Sequence, residues 1–231
     1  MIRDKQYWST VAEKYRSEMN TPYHLNRCAM IERLIDEKDL VGNVLDFGCG
    51  DGMYSKIVLE SGGEVIAIDI DESMVNYTHR KLNHLEHFSS FVGGVETIMN
   101  IPDESIDTVL SLNVIAYLHN GQDICFYKEA SRILKKNGVL ILTHSNELFD
   151  MFTLNKYTIN FFRENFSIGE IECDIQDLLV HPKLPNRTPQ TVRANPLTFG
   201  IQMEDFNFRE IRQEFAIPHN LPPLLLDEDP D

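Results

Sequence analysis

No stretch of this sequence approaches the ~20 consecutive apolar residues that a bilayer-spanning helix needs. Met1 to Trp8 carry none of the apolar core of an export signal, so a cytoplasmic location is the default expectation. Basic residues are scarce: 21 Lys and Arg stand against 36 Asp and Glu, a formal net charge of −15. A surface so acidic repels phosphate backbones, which argues against nucleic acid as a partner. Only four cysteines occur, Cys28, Cys49, Cys125 and Cys173, and none forms a C-x-x-C pair. A disulfide framework and a zinc site are therefore not expected, and buried free thiols are. Internal repeats and long low-complexity tracts are absent as well.

The 231 residues have the ordinary composition of a globular chain, 42% hydrophobic and 25% charged, enough to bury a core without staples. Short apolar runs at Val44–Phe47, Val65–Ile68, Phe88–Val92, Ile106–Leu112 and Val139–Thr143 suit buried parallel strands. Helical patterns lie between them. Leu25, Cys28, Ile31, Leu34 and Ile35 share one face before the first strand. Residues 53–61, 72–86 and 122–135 read as further helices. The 72–86 helix is opened by an Asp71 cap, and the last is ended by Lys135-Lys136-Asn137-Gly138. Such alternation predicts an α/β, Rossmann-like, doubly wound sheet. One domain over 1–231 is expected. Its parts are N-terminal helices (1–40), a ligand-binding core (41–145), an insertion or lid (146–200), and a terminal strand with an acidic tail (201–231). The 147–164 stretch reads as an aromatic-rich helix, and four prolines (Pro182, Pro185, Pro189, Pro196) mark a loop. Phe206–Ile217 reads as the last strand.

The most informative stretch is Val44-Leu45-Asp46-Phe47-Gly48-Cys49-Gly50-Asp51-Gly52-Met53. A strand runs into three alternating glycines and then into a helix. Glycine allows a sharp turn and close approach to a ligand, and a helix N-terminus favours an anion. The spacing is G-x-G-x-G. A dinucleotide fingerprint requires Gly or Ala where Met53 stands, so a nicotinamide-dependent oxidoreductase is the lesser reading. Asp69, at the end of the second strand, is positioned to accept hydrogen bonds from a ribose diol.

The run VLDFGCGDG with VIAIDIDESM resembles the class I S-adenosylmethionine-dependent methyltransferases. Asp46-x-Gly48-x-Gly50-x-Gly52 is similar to their first motif and Asp69 to their ribose-binding acid. Gly94-Val95-Glu96 stands where the family often has Asp-Ala-Glu, with Gly94 in place of the Asp. Ile106–Asn113 is similar to the fourth-strand motif, and Glu129–Gly138 to the "RVLKPGG" turn. Tyr7-Trp8 through Tyr15 resembles the N-terminal helix of small-molecule members. The resemblance implies a seven-stranded-type sheet with a C-terminal insertion or lid, and S-adenosylmethionine as methyl donor with S-adenosylhomocysteine as product. It places the cofactor on Tyr15, Asp46, Gly48, Cys49, Gly50, Gly52, Asp69, Ile70, Met74, Val95, Glu96 and Asn113.

Methyl transfer requires chiefly an acceptor held in line and kept dry. Candidates for a general base are His144, just beyond the fifth strand, and His219. Tyr117, His119 and Arg193 are candidate acceptor contacts, with Arg187 a further cation for an anionic acceptor. His84 and His87, three apart on an expected helix, read as a solvated face rather than metal ligands. Asn113 and Ser145-Asn146 supply no carboxylates where metal-dependent relatives carry them, so no catalytic metal is expected. The Asn/Asp-Pro-Pro-Tyr motif of adenine-amino methyltransferases is absent; Ser111-Leu112-Asn113-Val114 stands there. A small-molecule acceptor methylated on O or N is the expectation, with a sugar, a nucleotide-linked sugar and a phenol all open. The chain is expected to be a monomer or homodimer. A non-catalytic binder of the same cofactor, or a partner subunit, is the alternative.

Overall fold

The computed structural model describes residues 6–10, 22–38, 40–119, 121–148 and 192–215. Tyr15, Cys173, Arg187, His219, the acidic tail and nearly all of the expected insertion or lid lie outside them. Residues 6–10 are helical. Then follow α1 (Pro22–Lys38), β1 (Asn43–Phe47), α2 (Met53–Glu60), β2 (Glu64–Asp69), α3 (Glu72–Leu82) and β3 (Phe88–Val92). The short α4 (Val95–Ile98) leads to β4 (Ile106–Ser111), a 3-10 turn (Ile115–Tyr117), α5 (Gln122–Ile133) and β5 (Leu134–Leu142). A small pair, β6 (Ser145–Asn146) and β7 (Arg193–Ala194), and α6 (Phe199–Glu204) complete it.

The five main strands are parallel in the order β3-β2-β1-β4-β5. From β1 the chain winds outward to β2 and β3, then returns to place β4 on the other side. Strand order therefore reverses between β1 and β4, and a crevice opens at their C-terminal ends. Both faces of the sheet are covered. Ile31, Ile35, Val44, Val58, Val65 and Leu110 gather on the α1/α2 face. Leu45, Ile68, Ile98, Val109, Phe126 and Ile133 gather on the α4/α5 face. Burial from both sides explains why the strands read as unbroken apolar runs.

Several expectations need correction. The sheet has five strands among the described residues, not seven. Phe206–Ile217 is not a strand over its described part: Asn207 has φ 64° and residues 208–215 form no ladder. Phe206 and Phe208 turn instead into the α4/α5-face core. Beyond them, Arg212 and Glu214 pair with Glu37 and Arg33 of α1 on the opposite face. Their apolar spacing serves packing, not strand pairing. Helix α5 stops at Ile133. Lys135-Lys136-Asn137-Gly138 form an excursion inside β5, where the six residues from Leu134 to Val139 run alongside three on β4, from Ile106 to Thr108. Asn137 takes φ 66° there, and Lys135 Nζ meets Asp107 Oδ2 at 2.7 Å. Helix α3 ends at Leu82, so His84 and His87 share no helix face; His87 has φ 64° and faces Glu64. Leu25 is exposed, unlike the rest of its predicted face, and Cys125 lies on the solvent side of α5.

Candidate functional site

The loop from β1 to α2 sits at the strand-order reversal. Gly48, Gly50 and Gly52 all have positive φ (78°, 54° and 74°). The three glycines answer different demands. A Cβ on Gly48 would lie 2.1 Å from Val114 Cγ2, and one on Gly52 would lie 2.5 Å from Thr78 Cγ2. A Cβ on Gly50 would meet nothing within 4 Å among the described residues, so the space on that side of its backbone is open. The loop is tied to β2: Gly48 N and Cys49 N both donate to Ile68 O, at 2.7 and 3.0 Å. Thr78 Oγ1 donates to Gly50 O at 2.8 Å, and Lys81 Nζ to Asp51 O at 2.9 Å.

Three carboxylates converge on this loop. Asp46, 2% exposed, accepts a 2.6 Å hydrogen bond from the buried Ser55 hydroxyl. Burial pushes its carboxyl up to about 6, and the nearby charges of Asp69 and Asp51 add to that. Asp69 accepts from Gly50 N and from Asp71 N, both at 2.9 Å. Burial raises its pKa too, against the lowering effect of those amides. Each of its oxygens spends one lone pair on the backbone and has capacity for another donor. Asp51 faces Lys81 at 3.5 Å. Burial likewise raises the Cys49 thiol well above its ordinary range, so it stays protonated.

A hollow of about 50 Å³ opens beside the loop, lined by Arg27, Ile31, Gly48, Cys49, Gly50, Asp51, Met53, Tyr54, Leu112 and Asn113. Of the residues predicted for the cofactor, Gly48, Cys49, Gly50 and Asn113 are brought together here, with Asp46, Gly52 and Asp69 directly behind. Ile70 is exposed at the rim, whereas Met74 and Val95 are buried in packing. Glu96 turns back to accept from Gly94 N at 2.9 Å, and a Cβ on Gly94 would meet that carboxylate, also at 2.9 Å. Sequence reasoning missed Arg27 and Tyr54. The only signal for Arg27 was its place one turn before the buried Ile31 on α1.

The candidate acceptor residues form a second group. Val192 N donates to Ala116 O, and Arg193 is registered with Ser145, so residues 192–194 lie against both the 3-10 turn and the end of β5. Tyr117 meets Trp8 edge to face at 5.3 Å. His144 lies among Tyr127, Phe199 and the Tyr127–Phe206 contact. Its Nε2 is 3.0 Å from the Tyr127 hydroxyl, and burial lowers its pKa to about 4. The buried Nδ1 atoms of His144 and His119 and the Ser111 hydroxyl have no hydrogen-bond partner among the described residues. Also among the described residues, no three His, Cys, Asp or Glu gather as metal ligands, and no helix is long and apolar enough to cross a membrane.

Residues 45–142 match the model of a methyltransferase domain. That segment holds the whole glycine loop, Asp69 and the β4 end. Over that segment the chain is similar to the class I S-adenosylmethionine-dependent methyltransferases. A ubiquinone biosynthesis O-methyltransferase of Pelagibacter ubique is 29% identical over 107 residues, 45% of this chain and 42% of that protein. A probable S-adenosylmethionine-dependent methyltransferase of Mycobacterium tuberculosis is 25% identical over 126 residues, 54% of this chain and 44% of that protein. The chain thus matches less than half the length of either relative. In fold it is similar to the crystal structure of an S-adenosylmethionine-dependent methyltransferase from Archaeoglobus fulgidus, with TM-score 0.58 and 20% identity. That likeness covers 88% of this chain and 75% of the other. S-adenosylmethionine is the family's methyl donor, and the methyltransferase loop built here fits it. Gly50 leaves a cradle that a Cβ would fill, and Asp69 retains acceptor capacity beside it.

Proposed function

We propose that this chain transfers a methyl group from S-adenosylmethionine to an O or N atom of a small-molecule acceptor. The carrying observation is the open Gly50 backbone beside the Asp69 carboxylate at the β1/β4 reversal. Asp69 would accept the ribose hydroxyls, the Gly48–Gly52 backbone would line the amino-acid end, and Asp46 would fix the loop through Ser55. When bound, the donor supplies a methyl already activated on a positive sulfur. The chain's own task is then to orient the acceptor and exclude water.

The β4/β5 side serves as the acceptor side in this reading. Its buried nitrogens and hydroxyl without partners, on His119, His144 and Ser111, are hydrogen-bonding sites for a polar acceptor. With a pKa of about 4, His144 is neutral at pH 7 and receives a hydrogen bond better than it retains a proton. We therefore assign it to orienting the acceptor, with Tyr117 and Arg193 alongside.

Calorimetric titration with S-adenosylhomocysteine, with NAD as control, tests the reading. Micromolar binding of the first and none of the second is expected. NAD binding without S-adenosylhomocysteine binding would overturn it. Turnover with any acceptor in a metabolite screen then separates an enzyme from a non-catalytic binder.

A further inference from the structure

We infer that Tyr127 is a positioning residue: its hydroxyl fixes the His144 ring in the Nδ1–H form, and that N–H donates to an oxygen of the acceptor. This rests on the acceptor side proposed above. It narrows the group held there to one with an oxygen lone pair, a hydroxyl or carbonyl, and excludes a protonated amine.

Tyr127, on α5, is buried, and its hydroxyl lies 3.0 Å from His144 Nε2. That hydroxyl has no other hydrogen-bond partner among the described residues. A neutral imidazole carries one N–H and one lone pair, and a phenol can donate or accept. If Nε2–H donated to the phenol oxygen, two groups would be stranded: the phenol O–H without an acceptor, and the Nδ1 lone pair without a donor. If the phenol O–H donates to Nε2, only Nδ1–H is left over. His144 Nδ1 is buried with no partner among the described residues in either case. A buried polar group without a partner is costly, so the arrangement with one orphan prevails over the arrangement with two.

The surroundings hold both partners in these roles. Burial lowers the His144 pKa to about 4, which leaves the ring neutral at pH 7. Burial and the charge of Asp123 raise the Tyr127 hydroxyl, so it retains its proton to donate. Phe126 meets the Tyr127 ring edge to face at 5.8 Å, and Phe206 packs on it at 5.3 Å. Phe199 meets the imidazole edge to face at 4.5 Å. These phenyl rings fix the pair without offering it a conventional hydrogen-bond acceptor. A histidine tautomer is often set by a carbonyl or carboxylate on Nδ1–H. Here Tyr127 sets it from the other nitrogen and leaves Nδ1–H to spend just beyond β5, at the sheet edge where open α/β folds take ligands. An oxygen lone pair satisfies that N–H. An ammonium, which only donates, sets N–H against N–H.

Long-range proton–nitrogen NMR correlations of the full chain with S-adenosylhomocysteine bound read the tautomer, and His144→Gln assigns the signals by removing them. A protonated Nδ1 and an unprotonated Nε2 are expected for His144 in the wild type. In Tyr127→Phe, which retains the ring packing, the Nε2–H form is expected to gain about fivefold over Nδ1–H, the scale of one lost hydrogen bond. Two probes of one shape then test the contact. Benzyl alcohol, which offers an oxygen lone pair, is expected to move the Nδ1 signal; benzylammonium, which offers only N–H, is not. The affinity ratio of the alcohol to the ammonium is expected to fall about fivefold in Tyr127→Phe. General attraction of the ammonium to an acidic chain is common to both proteins and cancels. An Nε2–H ring in the wild type, a tautomer unchanged in Tyr127→Phe, an Nδ1 signal unmoved by benzyl alcohol, or an equal affinity ratio in the two proteins would each overturn the inference. Wild-type protein that does not bind S-adenosylhomocysteine would instead remove the cofactor reading, and this inference with it.

Discussion

Asp46 at the end of β1 and His144 just past the end of β5 stand along the same edge of the sheet, and burial acts on them in opposite directions. It raises the carboxyl to about 6 and lowers the imidazole to about 4. Both results disfavour the charged form, but the surroundings differ. Asp46 sits behind a loop whose backbone amides and neighbouring carboxylates define a charged, ligand-facing wall. His144 sits against the Tyr127 and Phe199 rings with one nitrogen engaged by a hydroxyl. The glycine-loop side retains titratable charge near neutrality, whereas His144 is neutral beside aromatic rings; in the proposed reading these are the donor side and the acceptor side.

The donor wall can be broken at its glycines. Gly48→Ala places a methyl 2.1 Å from Val114 Cγ2 at φ 78°, and a loss of about 3 kcal/mol in unfolding free energy is expected. Gly50→Ala meets nothing within 4 Å and should cost only about 1 kcal/mol, from its φ of 54°. It should nonetheless lower S-adenosylhomocysteine affinity at least about tenfold, because the methyl fills the ligand's space. Denaturant titrations and calorimetry on both variants check this. Equal stability losses would mean that the two glycines play one role.

The two ionisable groups give opposite pH signatures of similar size. The folded pKa of Asp46 lies above its unfolded value. Its contribution is full below about pH 4 and is lost as pH rises through about 6, on the order of 3 kcal/mol in all. The folded pKa of His144 lies below its unfolded value. Its contribution is full above about pH 6.5 and is lost as pH falls through about 4, again about 3 kcal/mol. In the wild type the two slopes largely cancel between pH 4 and 6.5. Relative to wild type, Asp46→Asn should become more stable with rising pH across that window, and His144→Gln less stable. Urea midpoints at half-unit pH steps read both; a reversed sign in either variant refutes the environment assigned to that residue.

The donor side was far more legible in the sequence than the acceptor side, and the reason is locality. Strands buried on both faces announce themselves as apolar runs, and Asp46, the three glycines and Asp69 lie within 24 residues of one another. The contacts that complete the site are remote: Arg27 with Asn113 is 86 residues apart, and Asn113 with Thr143 is 30. No local pattern encodes such pairs. Phe206 and Phe208 misled for a related reason. Their alternation fits a strand, yet what they satisfy is an aromatic contact with Tyr127 and the core beneath it. Tyr15 and His219 fall outside the described residues.

The smallest effect expected is also the one that separates ligand binding from loop architecture. Asp69 does two things: it accepts from Gly50 N and Asp71 N, and in the proposed reading it accepts from a ribose. Asp69→Ala removes both, so its loss of S-adenosylhomocysteine affinity mixes a missing contact with a loosened loop. Asp69→Asn keeps one oxygen for the backbone but places an amide N–H₂ against one of the two N–H donors. The shared role predicts that both variants lose about tenfold in affinity, but that Asn loses slightly more stability than its size alone implies. Asp71 is the control. Burial opposes its ionisation, yet hydrogen bonds from Ser73, Ser9 and Met74 hold its carboxyl below the ordinary range. It caps α3 rather than meeting the loop, so Asp71→Ala should cost about 1 kcal/mol of stability and leave affinity within about twofold. If Asp71→Ala lost as much affinity as Asp69→Ala, the donor wall would owe its binding to the packing of α3 and not to a carboxylate aimed at the ligand.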